Sequence, residues 1–392
     1  MRFPEFSGEW KKCTIGELAI KVGSGVTPRG GESVYKTNGY PFVRSQNVGL
    51  GHLILDDIAF IDEETHLRQK STELKLEDVL LNITGASIGR SALVNEQVVG
   101  GNVNQHVCII RTKENLISSF LCNFLLSNYG QRQIDSFQAG GNRQGLNFEQ
   151  IKSIKIAIPS TKEQTKVAKL LQLIEERIAT QNKIIEDLKK LKSAISKQAF
   201  AQKPNGWNRL DTLFSKGKAG GTPTSTNKEY YNGEIPFLSI NDITKQGKYV
   251  RYTENHLSRS GLENSSAWVV PEYSLIISMY ASVGLVTINE VPITTSQAMF
   301  AMQLRDKDLL DYLYYYLSYF KYRHIHKYLE TGTQSNINAD IVRGIMIPTY
   351  GHSRNMKIAS TLQGIDAKID NELSVLKLFN RQKNYLLSQM FI

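Results

Sequence analysis

The chain reads as a mixed α/β protein: two pseudo-symmetric α/β globules joined by two long antiparallel coiled-coil helices. Three observations predict this: a collinear internal repeat, β-like runs confined to the first part of each repeat, and an unbroken amphipathic helix closing each. Its 392 residues exceed one ordinary domain and suit two of roughly 150 residues with connecting structure.

The repeat comes first, because missing one misassigns a whole fold. Gly8-Glu9-Trp10 opens a segment that restarts at Gly206-Trp207. Tyr40-Pro41-Phe42-Val43 matches Ile235-Pro236-Phe237-Leu238, and Gly89 matches Gly284, both at an offset of 195. Gln105 matches Gln297 at 192, Asn147 matches Asn338 at 191, and Ile156-Ala157-Ile158-Pro159 matches Ile345-Met346-Ile347-Pro348 at 189. Offsets that drift slightly in strict order mean two copies of one unit with small loop insertions. The expected segments are a first globule (1–160), a first helix (161–203), a second globule (204–350) and a second helix (351–392).

Short apolar runs such as Val79–Ile83 and His106–Ile110, echoed by Ser274–Ser278 and Ala298–Met302, are punctuated by Gly, Asn and Pro as strands are. One helix is expected in each globule, near Ser118–Tyr129 and near Leu309–Tyr328. From Lys162 to Phe200 there is no Gly or Pro. Val167, Leu170, Ile174, Ile178, Ile185, Leu188, Leu191 and Ile195 recur at spacings that make one helical stripe. The second copy repeats the stripe at Ile358, Leu362, Ile365, Ile369, Leu373, Leu376 and Phe379. Each helix would run on the order of 55 Å, and its stripe must be covered. The expected cover is the other helix, running antiparallel; the alternative is that each helix folds onto its own globule as core.

Composition limits function. With 41% hydrophobic residues the chain can build real cores. Cys13, Cys108 and Cys122 have no CxxC spacing, which predicts reduced buried thiols. The opening MRFPEFSGEWKK lacks an apolar signal core and no apolar run nears 18 residues, so a cytoplasmic protein without membrane insertion is expected. A net charge of +10 suits a polyanionic partner, although mildly basic proteins are also common. Catalytic constellations are absent: no GxxxxGK[ST], HExxH or GxSxG, and no Pro-Pro pair of an adenine methyltransferase tetrapeptide. His324 and His326, two apart, suit solvated or stacking rings better than a metal site. A binder is expected, with no catalytic residue and no metal.

Amide, hydroxyl and guanidinium side chains on Gly-rich loops are what base recognition needs. In the first copy the candidates are Thr27, Arg29, Arg44, Ser45, Gln46, Asn47, Ser87, Arg90, Asn102, Asn104, Gln105, Asn142, Arg143 and Gln144. In the second they are Thr222, Ser239, Asn241, Tyr280, Ser282, Thr295, Ser296, Gln297, Thr333, Gln334 and Ser335. Any one such loop also serves as an ordinary strand connector. What singles out the group is that the frame repeats while the tips differ: Arg44 faces Ser239, Asn142 faces Thr333 and Arg143 faces Gln334. Two altered tips on one frame suit two different DNA half-sites.

With these residues in hand, the whole chain resembles the specificity subunits of type I restriction–modification systems. The resemblance is carried by Arg2-Phe3-Pro4-Glu5-Phe6, Gly220-Gly221-Thr222-Pro223, Tyr231–Phe237, Ser278–Gly284, Thr295-Ser296-Gln297-Ala298, and Ile156–Pro159 running into Glu163-Gln164. It implies that each globule is a target-recognition domain reading double-stranded DNA. It implies that the helices dock methyltransferase subunits, two of them, and that motor-nuclease subunits join. S-adenosylmethionine is then expected on the methyltransferase, with no cofactor on this chain. Two departures stand out: Gly25-Val26-Thr27-Pro28 in place of Gly-Gly-Thr-Pro, and a second helix opening Ser353-Arg354-Asn355-Met356 without Glu-Gln. Two other readings stay open: the recognition part of a type IIB-like system, and a coiled-coil scaffold without DNA binding.

Overall fold

The computed structural model describes residues 2–138, 145–328 and 336–391. It divides into two compact units, 1–183 with 373–392 and 184–372, so each long helix contributes one part to each unit.

In unit 1 the strands are β1 (Lys11–Thr14), β2 (Ala19–Ser24), β3 (Tyr40–Val43), β4 (Ala59–Ile61), β5 (Val79–Asn82), β6 (Ser91–Leu93), β7 (Asn102–Val103), β8 (Val107–Thr112) and β9 (Lys155–Ile158). They form a four-stranded sheet in the order β2-β8-β5-β6, a three-stranded sheet β4-β3-β7, and the pair β1-β9. Unit 2 holds β10 (Gly206–Arg209), β11 (Phe214–Ala219), β12 (Tyr231–Leu238), β13 (Tyr249–Val250), β14 (Asn255–Leu257), β15 (Leu275–Ser278), β16 (Val286–Asn289), β17 (Thr294–Thr295), β18 (Met299–Leu304) and β19 (Met346–Thr349). Its sheets repeat the plan as β11-β18-β15-β16-β13, β14-β12-β17 and β10-β19. In both units the three-stranded sheet combines an antiparallel pair with a short parallel one, β3 with β7 and β12 with β17. The central strands are buried on both faces, which is why they read as continuous apolar runs rather than alternating ones.

The expected single helix near Ser118–Tyr129 is two, Ser118–Leu126 and Asn128–Ser136. Ser127 stops the first and caps the second, its Oγ accepting the Gly130 N–H at 3.2 Å. Gly130 is required there, since a Cβ would sit 2.3 Å from the Phe124 carbonyl oxygen. In unit 2 the corresponding helix runs unbroken over Leu310–Arg323 and ends in a 3-10 turn, Ile325–Lys327. The His324 ring lies 5.7 Å from that of Phe320, and its burial lowers its pKa.

The long helices are Thr161–Phe200 and His352–Gln389. Within unit 1, Lys383 pairs with Glu175. Within unit 2, Lys192 Nζ lies 2.5 Å from Asp366 and Arg354 donates to Gln202, so one helix rises in number as the other falls: they are antiparallel. The helices therefore do not lie apart on separate globules. Of the expected stripe, Val167, Ile174, Ile185 and Leu362 are buried, while Leu170, Ile178, Leu188, Ile358, Ile365, Ile369 and Leu376 are half-buried. Leu191 and Leu373 are corrections: both are exposed, at 47% and 44%, because the three-and-four spacing continues past the strip that is covered.

The C-terminal end of each helix enters a globule core. Leu386, Leu387, Met390 and Phe391 enter the core of unit 1 with Val167, Leu171 and Ile174. The Phe391 ring lies 5.1 Å from that of Phe120, tilted, and 6.0 Å from that of Phe124, edge to face. At the same repeat positions in unit 2, Phe200 lies 5.9 Å from Tyr312 and 5.3 Å from Tyr316. Each unit's core is thus completed by the end of the helix that follows the other globule.

The missing Glu-Gln of the second helix has a structural answer. Gln164 is fully buried, taking the Ile117 N–H at 2.9 Å and donating to the Asn115 and Pro159 carbonyls. At the matching position Asn355, also buried, takes the Tyr350 N–H at 3.0 Å and donates to Thr349. The shorter amide keeps the clamp by choosing nearer partners.

Candidate nucleic-acid interface

The loops that vary between copies hang from frames that do not. After β5 the chain turns so that Gly89 N–H bonds the Asn82 carbonyl; after β15 Gly284 N–H bonds the Ser278 carbonyl. Ile83 N–H bonds the His106 carbonyl at 3.0 Å, and Met279 N–H bonds that of Ala298 at 2.7 Å. Gly85 and Ala281, equivalent by this pairing, both adopt positive φ, 71° and 41°. That conformation is easy for glycine and strained for alanine. Close packing fixes the preceding strand: a Cβ on Gly25 would lie 1.8 Å from the Val103 carbonyl oxygen, and one on Gly220 1.9 Å from that of Thr295.

Several sequence-selected residues hold these frames. Asn47 is buried; its Oδ1 accepts the Arg44 N–H and its Nδ2 donates to the Ile54 carbonyl. Asp242 does the matching work, accepting from Ser239 N–H and from Glu254 N–H, and Ser239 caps the short helix that follows. Asn102 is buried between His66 and the Gln69 carbonyl. Asn104 Oδ1 accepts the His106 N–H as Ser296 Oγ accepts that of Ala298. Thr295 is fully buried, and its hydroxyl has no hydrogen-bond partner among the described residues.

In unit 1, Ser45, Gln46, Thr84, Gly85, Ala86, Ser87, Arg90 and His106 line a cleft of about 470 Å³. Arg44 is tied back: its guanidinium donates to the Asp57 carbonyl at 2.6 Å and carboxylate at 3.0 Å, and lies over the Tyr35 ring. Gln46 donates to the same carboxylate at 2.5 Å. Ser87 Oγ meets Asn82 Nδ2 at 3.1 Å. Arg29, Arg90 and Gln105 are exposed, and Thr27 is half-exposed. Gly145 pairs with Thr84 as an isolated bridge, which places it beside the cleft. Asn142, Arg143 and Gln144 lie outside the described residues, as do Thr333, Gln334 and Ser335.

In unit 2, Thr222 donates to the Gln297 side chain and Asn241 to Glu254 at 3.0 Å. Tyr280 is 40% exposed, and Ser282 is exposed with φ 54°. Sequence reasoning passed over His106. Its Nδ1 lies 2.7 Å from Thr84 Oγ1 and its Nε2 3.4 Å from the Gln105 amide nitrogen. The available signal was that it follows the repeated Gln105 yet becomes Ala298 in the second copy.

Among the described residues no group of three or more His, Cys, Asp or Glu side chains could hold a metal ion, and no helix is long and apolar enough to cross a membrane. All three cysteines are buried free thiols. Burial pushes Cys108 up to about 12 and Cys122 up to about 11, far from a reactive thiolate.

One frame used twice, with polar loop tips exchanged on it, defines a duplicated recognition protein. The sequence pattern described as Type I restriction modification DNA specificity domain matches residues 7–190 and again 204–377. The chain belongs to that family and is a DNA-recognition subunit. It is similar to a Methanocaldococcus jannaschii protein provisionally named the MjaX type I restriction enzyme specificity subunit, 22% identical with 93% of this chain and 89% of that one covered. It is 32% identical to the Haemophilus influenzae HindI specificity subunit over 28% of this chain and 24% of that one. Among solved structures the fold matches the S subunit of a type I restriction–modification system from M. genitalium, with TM-score 0.60, 15% identity, and 100% and 99% of the two chains covered. A chain from a type I R-M complex matches with TM-score 0.63, 18% identity, and 98% and 97% covered.

Proposed function

We propose that this subunit reads a two-part DNA target, one half-site per unit, and presents it to two methyltransferase subunits and to restriction subunits in the cytoplasm. It performs no chemistry itself. S-adenosylmethionine belongs to the methyltransferase and none binds here. The antiparallel helices shared by the two units set the length of the unread gap, as a dimer axis sets half-site spacing elsewhere. Exposed residues on the helix segments of each unit, Leu173 and Leu378 in unit 1 and Leu191 in unit 2, among lysines, form docking faces for partners.

One observation carries this reading: equivalent exposed or half-buried positions at the loops differ on a shared frame. Gln46 is matched by Asn241, Thr84 by Tyr280 and His106 by Ala298, while Gln105 and Gln297 are the same. Contacts to phosphates from exposed Lys and Arg fix position, and the tips, with Asn142, Arg143, Gln144, Thr333, Gln334 and Ser335, specify sequence. The test is methylation sequencing of host DNA with and without the gene. The expected result is one motif of two short defined parts around an undefined gap, lost with the gene; a continuous motif would contradict the proposal.

A further inference from the structure

We propose that His106 is a specificity-determining residue of unit 1, positioned by Thr84 to accept an N–H from a base edge; this rests on the DNA-reading assignment above. The Gln105 amide nitrogen is a donor 3.4 Å from His106 Nε2, so Nε2 accepts and the ring proton sits on Nδ1. That proton points to Thr84 Oγ1 at 2.7 Å, and the bond fixes both the tautomer and the ring plane. Nε2 carries one lone pair, at the wall of the cleft that also holds Gln46, Ser87 and Arg90, and a base N–H would take it in place of the long 3.4 Å Gln105 contact. A lone pair is repelled by a phosphate and complements an exocyclic amino group, which adenine and cytosine present in the major groove. Gln105, exposed beside it, supplies the amide that reads a purine edge best.

The frame does not need this pair. In unit 2 the same backbone bonds form, Met279 N–H to the Ala298 carbonyl at 2.7 Å and Ile337 N–H to that of Met279 at 3.0 Å. There an alanine replaces the histidine and Tyr280 replaces the threonine. A polar pair that the scaffold can omit, at the wall of a cleft between variable loops, is placed for a ligand. Unit 2, lacking it, reads with a different set around Tyr280, Thr222 and Gln297.

The experiment uses the subunit assembled with its methyltransferase. Methylation sequencing of the wild type first gives the two half-sites. His106→Ala is expected to relax one base pair of one half-site by between about five- and 150-fold, the ordinary range for one position, with the other half-site unchanged as an internal control for folding. Thr84→Val is expected to relax the same position less. Binding to a duplex of the sequenced motif with the exocyclic amino group deleted at that base should weaken for the wild type and not for His106→Ala. Unchanged discrimination in His106→Ala would overturn the proposal and leave the two-part reading standing. So would a uniform loss over both half-sites, which marks a structural role. A wild type without a two-part motif would instead defeat the reading beneath it.

Discussion

The two units share a frame but close it with different chemistry, and the contrast is sharpest at the turn entering the central strand. In unit 1 Asp78, 1% exposed on its side chain, takes the Lys75 N–H and a two-pronged contact from Arg111, both prongs 2.7 Å. That bond raises the Arg111 pKa. In unit 2 the same positions are Ser274 and Gln303. The turn is closed by Asn289 instead, whose Oδ1 takes the Ser274 N–H at 3.0 Å and whose Nδ2 donates to the Pro271 and Val291 carbonyls. The backbone demands that its polar groups be met; which side chain meets them is free to change. What stays fixed is what no other residue can supply, such as the glycines that let two strands touch.

This contrast makes graded predictions. Arg111→Met should destabilise unit 1 by about 3–5 kcal/mol, because it leaves the Asp78 carboxylate buried and unpaired. Gln303→Met in unit 2 should change stability by less than about 0.5 kcal/mol. Hydrogen exchange resolved by unit checks both, and an effect of Arg111→Met as small as that predicted for Gln303→Met would show that the ion pair is dispensable. Gly25→Ala and Gly220→Ala should each cost about 1–3 kcal/mol, alike in the two units, since each new methyl would strike a carbonyl oxygen. Denaturant midpoints measure this, and a neutral result in either would mean that strand can shift aside.

The duplication, the α/β character of each half and the helical stripe were legible in the sequence because they are periodic or repeated. Burial was not. Asn47, Asn102 and Asn104 have the side chains of base readers, but the same amides cap turns, and only the fold shows that theirs face inward. Ser239 and Ser296, half-buried, also hold turns with their hydroxyls. His106 hid because it immediately precedes a strand and reads as part of its apolar run. The tail from Leu386 to Phe391 is buried in the core of unit 1, yet its partners belong to a distant stretch of sequence. Leu191 and Leu373 fit the spacing, which says nothing of where the cover ends.

The most direct measurement exchanges residues 1–155 for those of a relative with a different motif and sequences the methylation of the resulting complex. Independent readers on one frame require one half-site to change to the relative's, with the other half-site and the gap unchanged. Alteration of both half-sites, or of the gap, would contradict the account.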